Sequence, residues 1–114
     1  MSKKEFTKER TLEFLNELDT KLVADGYQRK FKLYCMGGTK MVLSGLRYSS
    51  EDVDFLTSRE DFRVLSSYKA EIEWKEKIRF DIFLEGRLPG YDYEKFEQHA
   101  KRASYTFRCL ELYF

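Results

Sequence analysis

The stretch from Leu33 to Leu56 constrains the fold more than any other part of the chain. An apolar run ends there at two adjacent glycines, a short apolar-rich segment follows, and a second apolar run begins with two aspartates one residue apart. Two glycines end a strand readily, because glycine adopts backbone conformations that other residues avoid. The pattern therefore predicts a strand, a glycine turn, a short helix and a second strand.

The two aspartates, Asp52 and Asp54, are predicted to share one face of the second strand, and Val53 and Phe55 the opposite face, because side chains alternate along a strand. Asp81 is the one acid inside a later apolar run. If the two strands pair, Asp81 lies about 5 Å from the first two acids. Three carboxylates this close repel one another and usually bind a divalent cation. We therefore predict that Asp52, Asp54 and Asp81 bind two Mg²⁺ ions, with Mn²⁺ as the alternative ion, the machinery for attack at a phosphate.

The glycine turn itself is a predicted phosphate-binding element. Gly37 and Gly38 allow backbone N–H groups to approach a ligand closely, and the start of the following helix favours an anion. Thr39 is expected to cap this helix and to offer its hydroxyl to the phosphates. Lys40 and Arg47 add positive charge that could reach the same phosphates.

These residues carry a resemblance to a known family. The run GGTKMVLSGLRYSSEDVDFL, followed later by IRFDIFL, resembles the signature of the nucleotidyltransferase (polymerase-β-like) superfamily. It is most similar to small prokaryotic members with Arg-x-Ser before the Asp-x-Asp strand, which include uncharacterised archaeal and bacterial nucleotidyltransferases and abortive-infection toxins of toxin–antitoxin pairs. The resemblance implies metal-dependent transfer of a nucleotide from a nucleoside triphosphate, such as ATP, to an acceptor hydroxyl.

The resemblance also implies individual roles. Asp52 and Asp54 would bind both metals, Asp81 would bind the catalytic metal beside the attacking hydroxyl, and Gly37 and Gly38 would contact phosphate. The acceptor stays open between RNA, a protein side chain and a small molecule.

With 114 residues, the chain is predicted to form one minimal nucleotidyltransferase-like domain. The expected fold is α+β: a small mixed sheet with helices on one face and the acidic cluster on the other. A first helix is predicted to begin at the capping-box pattern of Ser2 and Glu5, to carry Phe6 on its apolar face and to end at Gly26. The runs Glu71–Trp74 and Ile78–Leu84 are predicted to form an antiparallel hairpin, and Ser104–Phe114 a final strand.

Charge and cysteine content narrow the function classes. The net charge of +1 offers no footprint for duplex nucleic acid. Cys35 and Cys109 are expected to be reduced core residues, and no segment has the roughly 20 apolar residues that span a bilayer. A cytoplasmic protein with no membrane partner is therefore predicted. His99, the sole histidine, is expected at the surface or at a helix end, which leaves zinc-hydrolase and Ser-His-Asp chemistry little to work with.

Two other functions are compatible with the sequence. The chain could be a non-catalytic nucleotidyltransferase-like binding module or toxin–antitoxin subunit, forming a homo- or hetero-oligomer through an exposed C-terminal edge strand. It could also bind single-stranded nucleic acid through aromatic residues in strands, although its near-neutral charge does not favour this.

Overall fold

The computed structural model describes residues 6–51, 53–76, 81–84 and 93–114. These residues form an α+β structure with a four-stranded mixed sheet and a separate two-stranded antiparallel sheet. The predicted α+β class with a small mixed sheet is confirmed. No helix within these ranges is long and apolar enough to cross a bilayer. In chain order the elements are β1 (Phe6–Thr7), α1 (Lys8–Ala24), β2 (Phe31–Cys35), α2 (Gly37–Leu43), β3 (Ser49–Ser50), β4 (Asp54–Thr57), α3 (Arg59–Glu76), β5 (Asp81–Leu84), α4 (Tyr93–His99) and β6 (Leu110–Tyr113).

The larger sheet has the strand order β5-β4-β2-β6. β2 runs antiparallel to β4 and parallel to β6, while β4 and β5 are parallel. Parallel neighbours need a crossover connection, and α3 lies in the chain between β4 and β5. The sheet is therefore mixed, and the two strands that carry candidate acids are neighbours.

One face of this sheet is covered by the main hydrophobic core. The two long helices α1 and α3 pack here, because their apolar residues recur at helical spacing and the facing strand residues alternate. We call this the main-core face. Its fully or almost fully buried residues include Leu15, Leu18 and Leu22 of α1, Leu65 and Ile72 of α3, Phe31, Leu33 and Cys35 of β2, Val53 and Phe55, and Leu110 and Leu112 of β6.

The opposite face, which we call the second face, carries a smaller apolar cluster. Tyr34, Met36 and Leu56 are buried there, and the partly buried Ala100 and Tyr113 pack against them. The rings of Tyr34 and Tyr113 stack with their centroids 5.1 Å apart. Apolar contacts therefore cover part of the face on which the sequence predicted only the acidic cluster.

The predicted hairpin is wrong where the structure describes it. Glu71–Trp74 belongs to α3, which is a helix of 18 residues. The longer apolar spacing fits a helix, because Leu65 and Ile72 lie two helical turns apart and both are fully buried. An ion pair of 2.7 Å between Lys21 and Glu71 further joins α1 to α3. Asp81 to Leu84 does form a strand, and 78–80 lie outside the described residues.

The first helix ends as predicted and begins later than its apolar pattern indicates. Gly26 follows α1 with a φ of 90°, which favours glycine. α1 begins at Lys8, and the hydroxyl of Thr7 caps it by accepting the Arg10 N–H at 3.2 Å. Phe6 lies in β1 rather than in the helix.

The final strand is shorter than predicted, and its outer edge is paired with its own chain. β6 spans only Leu110–Tyr113. The N–H of Ala103 donates to the carbonyl of Leu112 at 2.7 Å, and Lys101 and Phe114 exchange backbone hydrogen bonds of 3.1 and 2.9 Å. Backbone groups that a partner strand would use at this edge are therefore engaged between 112 and 114.

Candidate active site

The glycine turn connects β2 to α2 through a sharp change of direction. Met36 is still extended, with φ −126° and ψ 155°, and Gly37 follows with a φ of 52°. A residue with a side chain would be strained at Gly37, because this φ lies in the left-handed region. The glycine predicted to end the strand is thus required by the backbone.

Gly38 is required for a different reason, which is close contact with the chain that follows α2. A Cβ at this position would lie 2.5 Å from Oγ of Ser50 and 3.3 Å from Nη1 of Arg47. Ser50 is buried and fixed in β3, where it pairs with Phe6 of β1. The structure therefore brings two predicted phosphate-binding residues, Gly38 and Arg47, next to each other.

Thr39 links this turn to β4. Its hydroxyl accepts the backbone N–H of Asp54 at 2.8 Å, and the residue is only 2% exposed. Met36 adds a second link, because its N–H donates to the Asp54 carbonyl at 3.2 Å. Both backbone groups of Asp54 are thus held by the turn. The prediction that Thr39 caps α2 is wrong, since the cap residue is Met36, which makes no side-chain capping bond.

Asp54 and Asp81 occupy adjacent positions of the sheet. β4 and β5 are parallel, and their register makes the Cα atoms of Asp54 and Asp81 direct partners. The expectation that these two strands pair is confirmed. Asp54 is half-buried, and Asp52 lies outside the described residues.

The faces of β4 follow the predicted alternation. Val53 and Phe55 are buried in the main core, whereas Leu56 belongs to the cluster on the second face. Since alternate residues share a face, Asp54 lies on the second face with Leu56. Among the side chains that the structure describes, no group of three or more His, Cys, Asp or Glu is arranged to hold a metal ion. That set does not contain the side chains of Asp52 and Asp81.

Two exposed cations flank the turn. Lys40 projects from α2, and Arg47 lies over Gly38. Neither side chain forms an ion pair with any residue in the described ranges. Their charge is therefore not neutralised by those neighbours and is available to an anionic ligand.

The structure also brings together basic residues that no sequence pattern assigns to a site. Lys95 and His99 of α4 line a cavity of about 270 Å³ together with Lys40, Ala100 and Phe114. His99 is exposed at the end of α4, as predicted. The one available signal was the spacing of Lys95 and His99, which places them on the same face of a helix.

The two cysteines do not provide a nucleophile. Cys35 and Cys109 are both free and buried, as expected. Burial raises the pKa of the Cys35 thiol to about 12, and this outweighs the opposing charge of Lys40. At neutral pH Cys35 is therefore a protonated core residue.

In comparisons with known proteins, no protein-family model, curated protein or solved structure matches the chain. Functional inference therefore rests on the residues and their geometry.

Proposed function

We propose that this chain is a metal-dependent nucleotidyltransferase with a nucleotidyltransferase-like fold, which transfers a nucleotide from a nucleoside triphosphate such as ATP to an acceptor hydroxyl. One observation carries the proposal. Asp54 is tied through both backbone groups to the glycine turn and is also the direct sheet partner of Asp81. Residues predicted to bind phosphate and residues predicted to bind metal thus come from distant parts of the sequence to one end of the sheet.

The proposed ligands suit Mg²⁺. Carboxylate oxygens are the ligands that Mg²⁺ and Mn²⁺ prefer, and Asp54 and Asp81 stand at neighbouring positions. We propose that Asp52 completes this set, because it is two residues from Asp54 in the sequence. When bound, two such ions would polarise the α-phosphate and stabilise the charge that develops on the leaving pyrophosphate.

The residues around the turn would bind and orient the triphosphate. Gly38 lets the backbone approach closely, and Arg47 lies beside it with its guanidinium exposed. Lys40 of α2 offers a second cation. Guanidinium and ammonium groups bind phosphate oxygens strongly and fix the position of the α-phosphate relative to the attacking group.

The reaction is a substitution at phosphorus. An oxygen of the acceptor hydroxyl forms a bond to the α-phosphorus, and the bond from that phosphorus to the bridging oxygen of the β-phosphate breaks. We propose that the hydroxyl proton passes to the carboxylate of Asp81. Pyrophosphate leaves, with Arg47 and Lys40 placed to offset its negative charge.

The proposal can be tested first by metal and nucleotide binding. Mn²⁺ bound with a non-hydrolysable ATP analogue is measured by electron paramagnetic resonance for the wild type and for Asp52→Ala, Asp54→Asn and Asp81→Asn. We expect each substitution to weaken Mn²⁺ binding about tenfold or more. Glu60→Gln is the matched control, because Glu60 is an exposed acid at the start of α3. Equal binding by all four variants and the wild type would overturn the proposal.

Transfer is tested with radiolabelled ATP and three acceptor classes: bulk transfer RNA, a mixture of proteins, and glycerol. We expect Mg²⁺-dependent labelling of one class and a loss of about 10²–10³-fold in Asp81→Asn. Wild-type protein that binds metal and nucleotide but labels none of the classes would support the non-catalytic binding module instead.

A binding module or toxin–antitoxin subunit is the second candidate, and one observation favours a partner. Leu46 and Tyr48 are 76% and 82% exposed, and both lie next to Arg47. The C-terminal edge strand is a weaker docking site, since its outer backbone groups between 112 and 114 are paired internally. The free thiols fit the proposed cytoplasmic location, where thiols stay reduced. Light scattering of the wild type and of a Leu46→Ser, Tyr48→Ser variant would show whether an oligomer depends on this patch.

A further inference from the structure

The cavity between α2 and α4 is lined by two basic residues, Lys95 and His99, that the proposed function does not use. Lys40, Lys95 and His99 lie at its lining, and Ala100 and Phe114 complete the residues around it. Lys40, Lys95 and His99 are exposed, whereas Ala100 and Phe114 are half-buried. No carboxylate side chain is present among the described residues that line it. The cavity therefore combines an apolar wall with cationic groups.

This cavity borders both faces of the sheet, because Phe114 of its lining packs against the main core and Ala100 packs on the second face, where Asp54 also lies. Ala100 packs against Tyr34, Met36 and Leu56, which define the second face. Asp54 shares that face with Leu56 by strand alternation, and its carbonyl accepts the N–H of Met36. Lys40 connects the two regions, because it follows the glycine turn and also lines the cavity. A ligand in the cavity would lie at the glycine-turn end of the candidate active site.

The lining specifies the chemistry of the ligand. Lysine ammonium groups and an imidazole N–H can each donate a hydrogen bond to a phosphate, and the ring of Phe114 with the methyl group of Ala100 favours a flat or apolar group beside it. The volume of about 270 Å³ is close to the lower end, roughly 300 Å³, of the range for small-molecule sites. A single nucleotide unit joins a phosphate to a flat ring on this scale.

We propose that this cavity is a phosphate-binding subsite for one nucleotide unit, with Lys95 and His99 contacting the phosphate and Phe114 contacting the base. Binding of the nucleotide unit does not depend on the proposed function. Its role as donor or acceptor in the reaction does. The unit has two sources with the same chemistry: the nucleotide portion of the donor triphosphate, or a nucleotide at the end of the acceptor.

The test uses AMP, adenosine and the full chain without any divalent metal, with binding followed by NMR chemical-shift titration. We expect AMP to bind more tightly than adenosine. Lys95→Ala and His99→Gln should each weaken AMP binding about three- to tenfold and leave adenosine binding unchanged, because each removes one contact to phosphate. Phe114→Ala should weaken the binding of both ligands.

Arg63→Ala is the control variant. Arg63 is an exposed residue of α3 that does not line the cavity, so this change removes one positive charge elsewhere. AMP affinity should equal that of the wild type. Three results would overturn the inference: adenosine binding as tightly as AMP, Lys95→Ala and His99→Gln both binding AMP like the wild type, or Arg63→Ala weakening AMP binding as much as they do.

A competition experiment then assigns the source of the nucleotide. If the cavity holds the donor, AMP displaces the Mg²⁺-bound ATP analogue; if it holds the acceptor end, both bind together. The outcome is separate from the proposed nucleotidyl transfer, since Asp54→Asn should retain metal-free AMP binding. AMP binding at Lys95 and His99 without Mg²⁺-dependent nucleotide binding at Asp54 would keep the subsite and overturn the proposed function.

Discussion

The two faces of the four-stranded sheet differ in what they bury. The main-core face packs against the long helices α1 and α3, and its buried strand residues are apolar. Among the described residues, the second face buries a small cluster around Tyr34, Met36 and Leu56, and Asp54 lies on the same face. Stability is thus concentrated on one face. This concentration leaves the other face free to carry charges that would weaken a core.

The largest expected difference between the faces lies in two adjacent residues of β4. Phe55→Ala, on the main-core face, should lower the free energy of unfolding by about 3–5 kcal/mol, because it removes a fully buried ring. Asp54→Asn, on the second face, should change it by about 1 kcal/mol or less. Urea unfolding followed by circular dichroism measures both. Similar losses of unfolding free energy in the two variants would show that stability is not concentrated on the main-core face.

The pH dependence of stability at high pH tests the burial of the Cys35 thiol in the main core without any substitution. Burial raises the pKa of Cys35 from 9.0 to about 12, so between these values the unfolded chain loses a proton that the folded protein keeps. The stabilisation is complete below pH 9 and is lost as pH rises through about 12. Near pH 10.5 it should add a slope of about −1.4 kcal/mol per pH unit to the free energy of unfolding.

Cys35→Ala provides the comparison for that slope. The other titrating groups are present in both proteins, so the difference between their unfolding free energies isolates the thiol. Parallel pH dependences of the wild type and Cys35→Ala from pH 9 to pH 11 would show that the thiol is not protected from ionisation.

A buried carboxylate attaches the irregular segment before β6 to α1. Asp19 accepts the N–H groups of Arg108 and Cys109 at 3.1 and 2.6 Å. Asp19→Ala should cost about 2–3 kcal/mol in unfolding free energy, because two backbone donors lose a charged partner. Glu13→Ala, at an exposed position of the same helix, should cost less than about 0.5 kcal/mol. Equal effects would mean that water replaces the carboxylate without penalty.

Two threonine substitutions, each with a smaller expected effect on stability than Phe55→Ala or Asp19→Ala, test whether Thr39 positions Asp54. Thr39→Val removes the acceptor for the Asp54 N–H, and Thr57→Val removes a donor to the Lys32 carbonyl. Each should cost about 1–2 kcal/mol. Only Thr39→Val should also weaken Mn²⁺–nucleotide binding, because it releases the backbone of Asp54 from the glycine turn. If Thr57→Val weakens that binding equally, Thr39 has no special positioning role.

Local patterns predicted much of this structure. The alternation of β4 correctly placed Val53 and Phe55 on the core face, and the glycine pair correctly marked the end of β2. Alternation failed at Glu71–Trp74, because four residues are too few to distinguish a strand from a helix, and Ile72 recurs seven residues after Leu65 on the buried face of α3. Thr39 was misjudged because a threonine near a helix start can serve either the helix or a neighbouring strand.

The cationic cavity could not have been predicted from the sequence. Lys40 belongs to α2, Lys95 belongs to α4 and Phe114 follows β6, and no local pattern relates them. Their meeting depends on the order of strands in the sheet, which brings β6 beside β2. The pairing of Asp54 with Asp81 could be predicted because each aspartate lies in an apolar run that is typical of a strand.

The register of β2 with β6 has a consequence for how the molecule acquires its structure. Phe31 is the Cα partner of Leu110, so the central strand pairs with the strand described last in the chain. Such a distant contact forms slowly, because a long loop must close before it brings any stabilisation. During synthesis β2 lacks this neighbour until β6 has left the ribosome, and the edge of β2 that later pairs with β6 is open to other chains in the meantime.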